Sequence, residues 1–247
     1  YLNLLKGIVT LDFGRSFSTK EKITQKILDG AGASLSLVVP PFVLSTLMSV
    51  LIGMLLAYFR GSFWDRSVPA MAVGMQSVSV LVYILFGQYF LAYKLEMFPI
   101  SGYDTSWDGR WAYLMLPGLI YILLSLAPNI RFYRTIILDE LYQDYVRTAR
   151  SKGLSDKVVM LRHILKNAMI PILTNLVISL PYLILGALLL ESYYSIPGLG
   201  NLIVDAARLP DFPVLSATTV LLTVAYILFN ILTDVLYSVA DPRVKLS

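Results

Sequence analysis

Cysteine is absent, histidine occurs once, and only 15% of the 247 residues are charged. The first absence excludes disulfides, zinc–thiolate sites and iron–sulfur ligation. The second leaves His163 alone in a charged segment, unable to complete a multi-histidine metal site. With one histidine and no cysteine, no nucleophile–base–orienter set can be assembled, so an enzyme is the least supported class. No Gly-Lys dipeptide occurs anywhere, which removes any phosphate-binding P-loop. If ATP powers this chain, another subunit must bind it. The net charge of +4 is modest, and its basic residues are not interleaved with aromatics on a polar domain, so nucleic-acid binding has no support.

What is present in excess is apolar: 57% hydrophobic residues and a mean hydropathy of +0.69. Soluble domains carry about 45–50% apolar and about 25% charged residues. The scarce charges are clustered. Gly30–Phe59, Ser67–Tyr93, Trp111–Ile130, Asn167–Leu190 and Phe212–Thr233 contain no Asp, Glu, Lys or Arg, and each is 20 residues or longer. A helix needs about 20 residues to cross the hydrocarbon layer. The fold class expected is therefore an all-α polytopic membrane protein with five transmembrane helices in this chain.

The first span, placed over Ser34–Phe59, carries Pro40-Pro41 near its expected first turn, where proline costs least. Gly74, Gln76, Ser77 and Ser79 in the second suit close packing of helices. Pro117 and Pro128 fall near the ends of the third, and Pro171 and Pro181 are candidate kinks in the fourth. Trp107, Trp111, Tyr113, Tyr193 and Tyr194 flank spans as an interfacial belt would. Asp234 sits near the end of the last apolar run, where an end-of-helix pairing is expected of it.

Basic residues set the orientation. Arg60 and Arg66 lie in the first loop, and Arg243 and Lys245 follow the last span. The segment 131–166 holds eight: Arg131, Arg134, Arg147, Arg150, Lys152, Lys157, Arg162 and Lys166. The alternate loops hold only Lys94, Arg110 and Arg208, so the twelve-bearing side is expected to be cytoplasmic. Five spans then put residues 1–33 outside, although Lys6, Arg15, Lys20, Lys22 and Lys26 lie there. A sixth helix preceding Tyr1 would resolve the conflict. The expected organisation is an external segment over 1–33 and a transmembrane domain over 34–247, with a cytoplasmic loop at 131–166.

Within that loop, Leu141–Lys152 has few helix breakers and reads as a helix. Gly153 can take positive φ at its C-terminal end. Ser155 is a suitable N-cap for a second helix, with Asp156 beside its positive end. A helix–Gly–helix element at the inner membrane face is expected.

These residues carry a resemblance. Tyr145-Val146-Arg147-Thr148-Ala149-Arg150-Ser151-Lys152-Gly153-Leu154-Ser155, continued by Arg162–Pro171, resembles the coupling ("EAA") loop of ABC importer permeases. It is most similar to the version in the dipeptide/oligopeptide/nickel branch, in its first, B-type permease subunit. The general Glu-Ala-Ala-three residues-Gly pattern falls on Arg147, Thr148, Ala149 and Gly153. Only Ala149 and Gly153 match that general form; Arg147 and Thr148 match the peptide-permease form. The general Leu-Pro falls on Leu165 and Lys166, a departure usual for this branch. Leu11–Ser16, the Glu191…Pro197-Gly198-Leu199-Gly200 stretch, Asp211–Val214 and Asp234…Ala240-Asp241-Pro242-Arg243 resemble further segments of the branch in order.

The resemblance implies a type I ABC importer permease fold in a bacterial or archaeal cytoplasmic membrane. It implies a second homologous permease subunit, two ATPase subunits that bind ATP-Mg, and an extracytoplasmic substrate-binding protein. Tyr145, Arg147, Thr148, Ala149, Arg150, Lys152, Gly153 and Leu154 would form the coupling helix and its turn. Ala149 and Gly153 would allow close approach to the ATPase, and Arg147, Arg150 and Lys152 would offer charge pairs. Glu191, Pro197, Gly198 and Gly200 are candidates for an external gate or binding-protein contact, against a plain turn at a membrane boundary. Di- or oligopeptides are the expected cargo, with nickel or another small solute as the alternative. A secondary transporter or channel is the rival class: the former would need acids or broken helices near the bilayer centre and repeated halves, and the latter would not need the helix–Gly–helix coupling loop.

Overall fold

The computed structural model describes residues 13–184 and 187–240, which form an almost wholly helical structure. Leu11, Asp12 and Asp241-Pro242-Arg243 lie outside the described residues, as do the side chains of Pro181 and Asp234. Four helices are long and apolar enough to cross a membrane, and a bent pair makes a fifth if counted as one span.

Helix α1 runs over Ile23–Tyr58, 36 residues, and so starts before the charge-free run. Lys26 and Asp29 are taken into its first turns because backbone hydrogen bonding continues wherever the side chains can reach water. Pro40 and Pro41 consequently lie mid-helix rather than in a first turn, and the carbonyls of Ser36 and Leu37 lose their regular helical donors. The small residue Gly118 abuts Pro41, at 3.1 Å from where its Cβ would be. That neighbouring helix supports the interrupted stretch, as membrane helices permit.

The second charge-free run is not one span. α2 (Phe63–Gln76) and α3 (Val80–Phe86, continuing as π-helix over Gly87–Lys94) meet at 90°. Ser79 is the cause that can be named: its extended backbone and Oγ, which accepts from Leu81 N at 3.4 Å, start a new helix. At its other end α2 is tied down. Ser62 Oγ accepts from Asp65 N, and the buried Asp65 carboxylate accepts from Gly61 N at 2.9 Å and from Arg134 Nε at 2.6 Å.

α4 extends over Trp107–Leu141, well past the expected exit at Ile130. Arg131 and Arg134 are therefore helical rather than loop residues, and Arg134 is engaged by Asp65. Short helix α5 covers Asp144–Ser151. α6 starts with Asp156–Val158, passes through a π-helical stretch at Val159–Ile164 and continues over Leu165–Ile184 with Pro171 inside it. The fourth apolar run thus breaks: Leu188–Tyr193 is a separate helix, α7. α8 (Leu199–Arg208) lies between it and the last long helix, α9 (Phe212–Ala240).

α1 and α4 run parallel and side by side for most of their length. At one end Leu37 and Val38 join Leu114, Leu116 and Ile120 in a core with Ile84, Leu190, Tyr194 and Ile196. At the other end Ala57 joins Tyr133, Ile137 and Leu141. Between these, Gly53 lets α1 approach until an added Cβ would sit 3.0 Å from Arg134 N. Such small-residue contacts replace hydrophobic driving force where the surroundings are themselves apolar. Outward, Leu44, Leu47, Leu51 and Leu55 make an exposed stripe on α1, and Ile227, Leu228 and Ile231 another on α9. An apolar exterior of this kind is stable against lipid.

Candidate functional site

The segment expected to dock a partner folds as a two-sided helix. α5 is shorter than the expected Leu141–Lys152 helix, because Leu141 ends α4 and Tyr142-Gln143 form the corner. One side of α5 is inward: Val146 is fully buried and Ala149 nearly so, packed with Tyr133, Ile137, Leu141, Val159, Met160 and Ile164. Ala149 therefore serves close packing inside this chain, not against an outside surface. Burying a valine side chain contributes about 2 kcal/mol, enough to hold a helix of two turns onto the ends of α1, α4 and α6.

The other side is free. Arg147 (82% exposed), Thr148, Arg150, Ser151 and Lys152 project away from the protein. Arg147 lies 4.0 Å from Asp144, an open pair too solvated to fix the helix. Arg150 Nε reaches Asp156 Oδ1 at 3.1 Å, bridging α5 to the start of α6. Asp156 is thus bound to a specific guanidinium as well as placed at a helix start. Ser155 has N-cap backbone geometry but makes no side-chain capping bond.

The turn between them explains Gly153. Gly153 N donates to Arg150 O at 2.9 Å and Leu154 N to Ala149 O at 3.4 Å, the Schellman pattern. It requires the left-handed φ of +77° found at Gly153, while a Cβ there would meet nothing within 4 Å. Within this chain the glycine answers a backbone need. Tyr145, half-buried, anchors the helix start: its hydroxyl donates to Glu140 on α4. Burial and then that carboxylate push the phenol up to about 12, so it stays protonated and donating.

A second constellation forms at the opposite end. The Glu191 side chain is completely buried within the chain. Its Oε1 accepts from Ser34 Oγ at 2.7 Å, and its Oε2 from Gly200 N at 2.8 Å and Asn201 N at 3.1 Å. Ser34 Oγ also accepts from Leu199 N at 2.8 Å. The first turn of α8 thus finds acceptors for its otherwise unpaired amides, and the negative charge meets the positive end of the helix. Pro197-Gly198-Leu199-Gly200 is accordingly the entry to a helix, with Gly198 at its N-cap. A side chain on Gly198 would place Cβ 2.2 Å from Glu191 Oε2 and 2.6 Å from Ser34 Oγ; one on Gly200 would meet Leu188 Cα at 2.7 Å. Neither glycine has positive φ, so both are required for space. Tyr194, expected in an interfacial belt, is instead buried beside this knot.

Past the other end of α8, Asp211 precedes α9 and accepts from Ser16 Oγ, from Phe17 N at 3.1 Å, and from Ser18 N and Oγ at 3.2 and 2.8 Å. Burial opposes its ionisation, but these donors outweigh that and hold the carboxyl well below the usual range. The hydrogen-bonding roles of Ser34, Ser16 and Ser18 were not legible in the sequence: Ser34 marked only the start of a span, and Ser16 only the end of the Leu11–Ser16 resemblance.

Residues 49–246 match the family model of binding-protein-dependent transport system inner membrane components. The chain is 36% identical to a probable peptide ABC transporter permease protein of Sinorhizobium fredii, over 99% of this chain and 79% of that one. It is 32% identical to the glutathione transport system permease protein GsiC of Pectobacterium atrosepticum, over 99% and 78% of the two chains. It is 30% identical to the dipeptide transport system permease protein DppB of Escherichia coli, over 99% and 80%. In structure it is similar to a chain of the MetNI methionine ABC transporter in an inward-facing conformation, with a TM-score of 0.71 at 15% identity over 88% and 97% of the chains.

Proposed function

The chain belongs to the binding-protein-dependent transport system inner membrane components, and on that premise we propose that it is a permease subunit of an ATP-driven importer of di- or oligopeptides. The observation that carries the mechanism is the two-sidedness of α5. Its buried face, Val146 and Ala149, fixes it to the ends of α1, α4 and α6. Its free face offers Arg147, Thr148, Arg150 and Lys152 to a partner. A helix held rigidly on one side and bare on the other transmits displacement: a push on α5 moves the helices beneath it. The partner is an ATPase subunit, which binds ATP-Mg that this chain has no P-loop to hold. No chemistry occurs on this chain, which forms half of a pathway completed by a second permease. The basic end, with α5, faces the cytoplasm, and the Glu191 and Asp211 knots face the side from which a binding protein delivers cargo.

Peptide cargo is supported by the names of the relatives above. The test is reconstitution of the complete complex, with its ATPase subunits and binding protein, in proteoliposomes. Uptake of labelled dipeptide that requires internal ATP is the expected result. Uptake that persists without any ATPase subunit overturns the importer reading, and ATP-dependent uptake of a nickel chelate but not of peptides overturns the cargo.

A further inference from the structure

Ser34 and Glu191 are 157 residues apart in sequence, yet with three backbone amides of α8 they make one buried cluster. Four features of this cluster bear on movement. Glu191 is completely buried, so it can touch neither a binding protein nor passing cargo. Ser34 uses its hydroxyl twice, donating to Glu191 and accepting from Leu199 N, so it fastens both α7 and α8 to α1. Gly30, one turn earlier on α1, lies against the same entry: a Cβ there would sit 3.4 Å from the Gly198 carbonyl carbon and from Leu199 N. Finally, α1 continues unbroken from Ser34 to Ala57, whose side chain is part of the cluster that seats Val146 and Ala149 of α5.

One helix therefore touches the two-sided docking helix at one end and the buried carboxylate knot at the other. α4 packs along it, joining α7 through Leu114 and Leu116, which cluster with Leu190, and α5 through Tyr133 and Ile137, which cluster with Val146 and Ala149. We propose that Ser34 and Glu191 are positioning residues that latch α8 to α1, so that displacement of α5 is delivered to the opposite membrane face as movement of α8. This rests on α5 being the ATPase contact. The latch is suited to that task because its groups are out of water. A buried carboxylate with satisfied donors holds one geometry, and losing one donor leaves an unpaired acceptor whose cost is the full desolvation penalty.

The absence of cysteine lets labels be introduced cleanly. Asp29 on α1 and Asp205 on α8 are exposed positions for a pair of nitroxide labels. Pulsed electron resonance on the complete complex in nanodiscs, nucleotide-free and trapped with ATP and vanadate, reads the distance between them. With the latch intact, one narrow distance is expected, the same in both states. Ser34→Ala is expected to raise the detached population about tenfold or more and to lower cargo delivered per ATP hydrolysed. If that variant does not fold, Glu191→Gln, which keeps the shape of the side chain, is read in the same way and is expected to broaden the distribution too. A native distance that changes between nucleotide states overturns the proposal, as does a foldable variant with an unchanged distribution and unchanged delivery per ATP. Failure of the native complex to take up peptide defeats the peptide-cargo reading instead, and uptake without any ATPase subunit defeats the importer reading. The nucleotide-free comparison of native and Ser34→Ala chains still judges the latch in that case.

Discussion

A Cβ on Gly198 would stand 2.2 Å from Glu191 Oε2, closer than any real side chain approaches a neighbour. The fit between these two residues makes the Pro197–Gly200 entry a closed joint rather than an open loop. Gly198→Ala must push the carboxylate off Ser34 or off the α8 amides, and overpacking of this kind costs about 1–3 kcal/mol. Gly74 in α2 is the control, because a Cβ there would meet nothing within 4 Å. Gly74→Ala is expected to be neutral or to stabilise by up to about 1 kcal/mol. Thermal unfolding of the two variants in the same detergent separates the outcomes; equal melting temperatures would show that the joint is not tight.

Gly153 makes the opposite prediction, since its constraint is conformational. Its φ of +77° strains any side chain with a Cβ, at roughly 1–2 kcal/mol, and asparagine is tolerated there better than other residues. Gly153→Ala should therefore impair peptide uptake per ATP more than Gly153→Asn, although alanine is the smaller side chain. An order that follows side-chain volume would point to close approach by the partner instead.

The two faces of α5 separate stability from coupling. Val146→Asp places an unpaired carboxylate among Tyr133, Ile137 and Val159, and a buried charge without a partner is expelled at the cost of the fold. Poor membrane accumulation is the expected outcome. Arg147→Glu, on the exposed face, should accumulate normally, with melting unchanged within about 0.5 kcal/mol, yet lose co-purification with the ATPase subunit. Retained co-purification after the charge reversal would remove Arg147 from the interface.

Asp211 predicts a pH dependence at the opposite end. Its folded pKa is depressed, so its contribution to stability is fully present above the unfolded carboxylate value and is lost as pH falls through the lower folded one. The Ser16–Ser18 turn should stay attached through neutral and mildly acidic pH and loosen only below about pH 4. Asp211→Asn should leave the turn loosened at neutral pH, with little further change on acidification. Hydrogen exchange at Phe17 and Ser18, whose amides donate to this carboxylate, measures both. Protection lost already near pH 6 in the native chain would contradict the ordering.

Much of this was legible in the residues. Five charge-free runs located the apolar parts of α1, the α2–α3 pair, α4, α6 with α7, and α9, because no other arrangement hides so much apolar surface. The Gly153 turn and the Ser155 start were legible too, since both follow from backbone requirements within a few residues. Extents were not. α1 begins at Ile23 and α4 runs to Leu141 because helical hydrogen bonding is indifferent to the charges of Lys26 or Arg131 once those side chains reach water. The 90° bend at Ser77–Ser79 escaped notice because the run stays uncharged across it, and a serine serves helix packing as well as helix capping.

By itself, then, the sequence determined a multi-pass helical membrane protein and a short basic helix closed by a left-handed glycine. Both are settled by local composition, spacing and backbone geometry. Only the tertiary structure decided which face of that helix is free, since Val146 and Ala149 become buried only when α1, α4 and α6 converge on them. It also decided that Glu191 is a fastening and not a surface group. A carboxylate can be buried only where its donors assemble, and Ser34, Gly200 and Asn201 reach it from an early helix and a late one that no local pattern connects.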